Sequence, residues 1–145
     1  MSKFIYRYDT VLRIKEVFEK KILKEISDIE KTIEKLEIDK KKLITKKEDL
    51  AQKITEGKIK VVDYKSAKSL CKTLEKEIAG VEKKIYEWQL KRKSKLDELI
   101  ERKKEIQILE ALKEKQYEEF LINSNREELK QLNEIAINNF NRKEQ

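Results

Sequence analysis

Residues 54–63 read Ile-Thr-Glu-Gly-Lys-Ile-Lys-Val-Val-Asp, and they hold the only strong turn signal in a chain of 145 residues. Gly57 suits the position just past a helix C-terminus, where the backbone turns left-handed and a Cβ is costly. Ile59-Lys60-Val61-Val62 is short, β-branched and not periodic. Asp63 can then cap a second helix, its carboxylate accepting from the free amides of the first turn. Outward from this stretch nothing breaks a helix. The chain has no proline, and its one other glycine is Gly80. An isolated glycine weakens a helix by about 1 kcal/mol relative to alanine without ending it. The reading is a first helix over about 4–56, a turn at about 57–62 and a second helix over about 63–140. A variant stays open in which a short helix at 63–78 precedes a long one from about Val81.

The apolar residues on either side say how the two helices meet. Before the turn, Phe4, Tyr8, Val11 and Phe18 lead into Ile22, Ile26, Ile29, Ile33 and Leu36, and then Leu43, Leu50 and Ile54. Spacings of three and four put them on one coiled-coil stripe. Between Phe18 and Ile29 the run is four, four, three, which predicts a stutter that locally unwinds the supercoil. Lys15, Lys40 and Lys47 fall on the stripe, with apolar stems along it and heads reaching water. After the turn a second stripe runs from Leu70, Leu74, Ile78, Val81, Ile85 and Trp88 through Leu96, Leu99, Ile106, Leu109, Tyr117 and Phe120 to Leu129, Leu132 and Ile135. Two such helices on one short link fold back on each other. The fold class is all-α: a long antiparallel two-helix coiled-coil hairpin, one domain over 1–145, with room for a short extra helix at the turn.

Composition narrows the function. Charged side chains make up 45% of the chain, hydrophobic ones 38%, and mean hydropathy is −0.83, enough for a narrow seam but not for a thick core. There is no apolar run long enough to span a membrane, and the opening twenty residues lack the apolar core of a signal peptide. A single cysteine, Cys71, cannot make an internal disulfide, and a cytoplasmic protein is expected. With no histidine and no glycine-rich phosphate loop, the chain is not expected to be an enzyme or to hold a metal or cofactor. The net charge is +7, densest at Lys91-Arg92-Lys93-Ser94-Lys95. Such a cluster can meet an acidic protein surface or nucleic acid. Here Glu87, Asp97 and Glu98 flank it and no stacking platform accompanies it, so no nucleic-acid partner is expected. Phe4, Tyr8, Trp88 and Phe120 sit on the stripes and read as core. Tyr6, Tyr64 and Tyr86 fall off them and read as anchors for a partner.

The two ends of the chain resemble a known family. Phe4-Ile5-Tyr6-Arg7-Tyr8-Asp9-Thr10-Val11-Leu12-Arg13-Ile14-Lys15-Glu16 resembles the N-terminal signature of the bacterial flagellar export protein family FliJ. Leu109-Glu110-Ala111-Leu112-Lys113-Glu114-Lys115-Gln116 and Arg126-Glu127-Glu128-Leu129-Lys130-Gln131-Leu132-Asn133-Glu134-Ile135-Ala136 resemble its closing segments, with Asn133 where the family has Asp. The resemblance spans the chain and implies a component of the flagellar type III protein export apparatus, similar to the coiled-coil stalk of rotary ATPases. It implies three partners: the hexameric flagellar export ATPase, the cytoplasmic domain of the export-gate membrane protein, and export chaperones. The paired terminal segments then enter the ATPase ring and promote its assembly and activity. Tyr8, Arg13, Lys15, Glu16, Glu127, Lys130, Glu134 and Ile135 are the ring-facing residues this implies. Tyr64, Leu70, Leu74 and Ile78 are placed toward the gate by position alone. The location implied is cytoplasmic, peripheral to the export apparatus at the inner face of the membrane, without insertion. The main rival is a generic coiled-coil adaptor that zippers with partner helices, and a third reading is a basic nucleic-acid-associated rod, which salt-sensitive binding to DNA would favour.

Overall fold

The computed structural model describes residues 2–57 and 60–144, without the side chains of residues 61 and 62. The Lys58 and Ile59 part of the turn signal lies outside the described residues. Helix α1 runs Asp9–Thr55 and helix α2 runs Val61–Glu144, and the two pack against each other as a hairpin with no strand among the described residues. Gly80 lies inside α2, so the second helix is unbroken and no extra helix precedes it. A Cβ at Gly80 meets nothing within 4 Å.

Gly57 does what its sequence context predicts: φ is +67°, and its amide lies 3.3 Å from the Ile54 carbonyl. Asp63 does not cap α2. The amides of Asp63 and Tyr64 both donate to the Lys60 carbonyl, at 2.9 and 3.1 Å, so Lys60 is the capping residue. Asp63 is in the first turn instead, where its charge still favours the positive end of the helix dipole. Residues 2–8 are not helical; α1 begins five residues later than expected, and the preceding segment is a strap closed by an Asp9 amide bond to the Tyr6 carbonyl of 3.2 Å.

The chain divides into two compact units. The turn unit is Lys20–Ile100. Its seam on α1 is Ile22, Ile26, Ile29, Ile33, Leu36, Lys40, Leu43, Lys47, Leu50 and Ile54, an unbroken three–four alternation whose members are all buried or half-buried. On α2 it is Ala67, Cys71, Leu74, Ile78, Val81, Ile85 and Trp88, then Lys95 and Leu99. Ile22, Ile26 and Leu99 form its tightest cluster, with Leu96 against it. Leu70, expected on the stripe, is exposed, because Ala67 and Cys71 hold the seam positions on either side of it. Lys40 and Lys47 keep their stems in the seam and end 3.4 Å from Glu82 and 3.2 Å from Glu75.

The terminal unit is Met1–Glu19 with Glu101–Gln145. Its core is Tyr6, Leu12 and Ile106, with Phe4, Leu109 and Leu112 packed against it. Here the predicted stripe is corrected. Leu12, Lys15 and Glu19 continue the three–four alternation that reaches Ile22, so there is no stutter. Tyr8, Val11 and Phe18 are exposed. The Phe18 ring finds a cation instead, with the Arg102 guanidinium 5.2 Å from its centroid. Tyr6, expected to point at a partner, is 6% exposed because the strap turns it into the seam.

Candidate functional site

The terminal unit is built on the strap. The Phe4 ring packs edge-on to Tyr117 at 5.2 Å and tilted on Phe120 at 5.5 Å. The Tyr6 hydroxyl donates to the Leu109 carbonyl at 2.8 Å. Lys113 sits 5.9 Å from the Tyr6 ring and reaches Asp9 at 3.4 Å; Asp9, in the first turn of α1, also holds Arg13 at 3.0 Å. Strap and first turn are thus fastened to α2 by stacking, a hydrogen bond and an ion pair. An open groove of about 450 Å³ lies beside them, lined by Phe4, Leu12, Glu16, Glu110, Lys113 and Tyr117 among others.

The ring-facing residues implied by the family resemblance fall into three groups. Tyr8 and Arg13 are exposed on the strap and on α1. Lys15 and Glu16 are half-buried: Lys15 bridges to Glu105 at 2.7 Å, and that hydrogen bond holds the Glu105 carboxyl below the usual carboxylate range. Glu127, Lys130, Glu134 and Ile135 are exposed on a part of α2 that outlasts its partner helix: past Ser124 every described residue of α2 is exposed.

The surface of that overhang has a feature the sequence stripe misread. Carrying the three–four alternation on from Ile106, Leu109, Lys113, Gln116 and Phe120 leads to Asn123, Glu127, Lys130 and Glu134, which are polar. Ile122, Leu129, Leu132 and Ala136 are two residues out of step, about 200° around a helix. Leu129, Leu132 and Ile135 therefore do not extend the seam, and all three are more than half exposed. The signal was present in the sequence as a two-residue shift of the apolar period after Phe120.

The residues placed toward the gate lie in the turn unit and are not alike. Leu74 is buried and Ile78 half-buried, so both are engaged in the seam, while Tyr64 and Leu70 are exposed. Leu70 and the edge of Leu74 line an open groove of about 530 Å³ with Leu50, Lys46 and Lys53. Tyr86 is exposed as expected, and Lys68 lies 5.3 Å from the Tyr64 ring.

The basic cluster is largely occupied by its own helix pair. Arg92 reaches Glu30 at 3.2 Å, and Lys91 sits 4.2 Å from the Trp88 ring. Lys95 reaches Glu25 at 2.7 Å and Glu98 at 3.3 Å. The bond from Lys95 lowers the Glu25 carboxyl, and the bonds to Glu25 and Glu98 raise the Lys95 ammonium.

Among the described residues no group of three or more His, Cys, Asp or Glu side chains could hold a metal ion, and no helix is long and apolar enough to cross a membrane. The grooves are open troughs between side chains, suited to seating another surface along a helix. No curated protein and no solved structure matches the chain. The model of the flagellar FliJ protein family matches residues 3–145, a span that takes in the strap, both helices and the exposed end of α2. The chain belongs to the FliJ family of flagellar proteins.

Proposed function

We propose that this chain is a non-catalytic component of flagellar protein export whose terminal unit seats in the pore of the hexameric export ATPase and promotes its assembly and turnover. The observation that carries the reading is the overhang of α2, where Glu127, Lys130, Glu134 and Ile135 stand exposed with no partner helix beside them. A surface held in a ring needs a stiff helix and accessible side chains, and membership of a flagellar export family supports a partner in that apparatus. Arg13 and Tyr8 add exposed contacts from the strap and α1. Lys15 and Glu16 support this surface from within. In the same reading Tyr64 and Leu70 face the export-gate protein, and export chaperones meet the chain in the cytoplasm near the membrane.

The test is the rate of ATP hydrolysis by the purified export ATPase against added protein, with circular dichroism as a folding control. The wild type is expected to raise the rate. Lys130→Glu with Glu134→Lys is expected to remove most of that rise with helix content unchanged, and so is Arg13→Glu. Lys93→Glu, on an exposed site of the turn unit, is expected to stimulate as the wild type does. An ATPase indifferent to the wild type would leave the coiled-coil adaptor as the better reading.

A further inference from the structure

The apolar face of the α2 overhang is a surface of its own. Leu129, Leu132, Ala136 and Phe140 follow one another along one side of the helix, and the three large ones are each at least 61% exposed. Glu127, Lys130 and Glu134 project from the other half of the helix, where the seam would continue, and Glu128 borders the face one turn before Leu132. From Glu127 to Asn141 this face therefore carries no charge. A helix that turns an uncharged apolar stripe to water over several turns is a docking surface awaiting a like surface.

We propose that the occupant is the same face of a second copy of this chain, paired antiparallel. Two observations on charge select it. The terminal unit holds 13 basic and 13 acidic residues and is neutral, whereas the turn unit holds 23 and 16 and carries the whole excess of +7. Two copies therefore meet through the terminal unit without net electrostatic cost, whereas the turn unit as a whole repels its like. The second observation is the pair of charges that bound the stripe on one flank, Arg126 and Glu144. Antiparallel pairing sets Leu132 of one copy beside Ala136 of the other and Leu129 beside Phe140, and brings Arg126 against Glu144 twice. In a parallel pair Arg126 and Glu144, eighteen residues apart along the helix, do not meet. The contact is isologous, so it closes at two copies. With only a few apolar layers it is a weak, reversible dimer. The inference does not depend on the ATPase reading.

Sedimentation equilibrium of the full chain over about a hundredfold range of concentration tests it. The mass is expected to climb from 17.5 kDa toward twice that value. Leu132→Glu, at an exposed site where the fold is untouched, is expected to hold the monomer mass throughout. Arg126→Glu is expected to weaken the dimer by about threefold, and Arg126→Glu with Glu144→Arg to restore it. A wild type that stays at 17.5 kDa overturns the proposal. So does a Leu132→Glu chain that still dimerises. An Arg126→Glu chain that dimerises as well as the wild type overturns the antiparallel pairing.

Discussion

The Tyr6 hydroxyl bonds to a carbonyl in the interior of α2, and its ring is among the most buried in the chain. Tyr6→Phe keeps the ring and loses one neutral hydrogen bond, an expected cost of about 1 kcal/mol. Tyr6→Ala also opens the terminal core, for about 3 kcal/mol. Urea denaturation resolves the two, and equal midpoints would mean that the hydroxyl does nothing. A second residue-scale prediction concerns acid. Glu25 and Glu105 have folded-state pKa values lowered by Lys95 and Lys15. A lowered carboxylate stabilises the fold above its unfolded value of about 4, and that contribution is lost as pH falls through the folded value. Lys95, whose pKa is raised, contributes below its unfolded value and loses that contribution as pH rises through the folded one. Melting temperature is therefore expected to be flat through neutral pH and to fall below about pH 4. Glu25→Gln with Glu105→Gln is expected to shrink the acid step. An unchanged step would assign it to other carboxylates.

At the scale of the helix, the two glycines make opposite predictions. Gly80 is exposed, mid-helix and free of neighbours, so Gly80→Ala is expected to stabilise the protein by about 1 kcal/mol. Gly57 sits at φ +67°, where a Cβ is strained, so Gly57→Ala is expected to cost about 1 kcal/mol. Thermal melts moving in the same direction for both would contradict this. The seam predicts a similar contrast: Ile26→Asp, at a buried position, is expected to cost several kcal/mol, and exposed Lys31→Ala next to nothing. These elements were legible in the sequence because breakers are absent and the apolar period is regular from Ile22 to Trp88. What was not legible has two physical causes. Near Phe18 and again after Phe120, charged or polar residues occupy seam positions while apolar ones lie outside. Glu19 holds a seam position and Phe18 sits by Arg102 instead. A stripe traced through apolar residues alone follows Phe18, Leu129, Leu132 and Ile135 out of the seam. Tyr6 was misplaced because helical spacing was applied to a strap that is not helical. Of the residues proposed to face the ring, Tyr8, Arg13, Glu127, Lys130, Glu134 and Ile135 are exposed, while Lys15 lies deeper at a seam position with its head paired to Glu105 and Glu16 lines the groove beside Phe4.

Over the whole molecule, charge is divided as sharply as structure is uniform: all of the +7 belongs to the turn unit. An acidic polymer such as polyglutamate is therefore expected to bind the chain, and to be released as salt screens the interaction. Lys91→Glu with Lys93→Glu is expected to weaken that binding several-fold, and Lys130→Glu to leave it nearly unchanged. Fluorescence of the single tryptophan, Trp88, reports it directly, since Lys91 lies over its ring.

The ion pairs across the seam also bear on how the helices find their alignment. If α2 slid by one heptad against α1, Lys47 would face Glu82, Arg92 would face Glu37 and Lys113 would face Glu16, whereas Lys15, Lys40 and Lys95 would face Leu112, Gln89 and Thr32. Half of these cations would exchange one carboxylate for another, so the pairs only partly tell the native alignment from its neighbour. The apolar knobs repeat with the same period and discriminate little better. One local feature does discriminate: the Tyr6 hydroxyl donates to the Leu109 carbonyl, a bond that a slipped helix would break. The strap acts on the hairpin as a locating pin, and loosening it is the expected route to a chain that is fully helical and out of register.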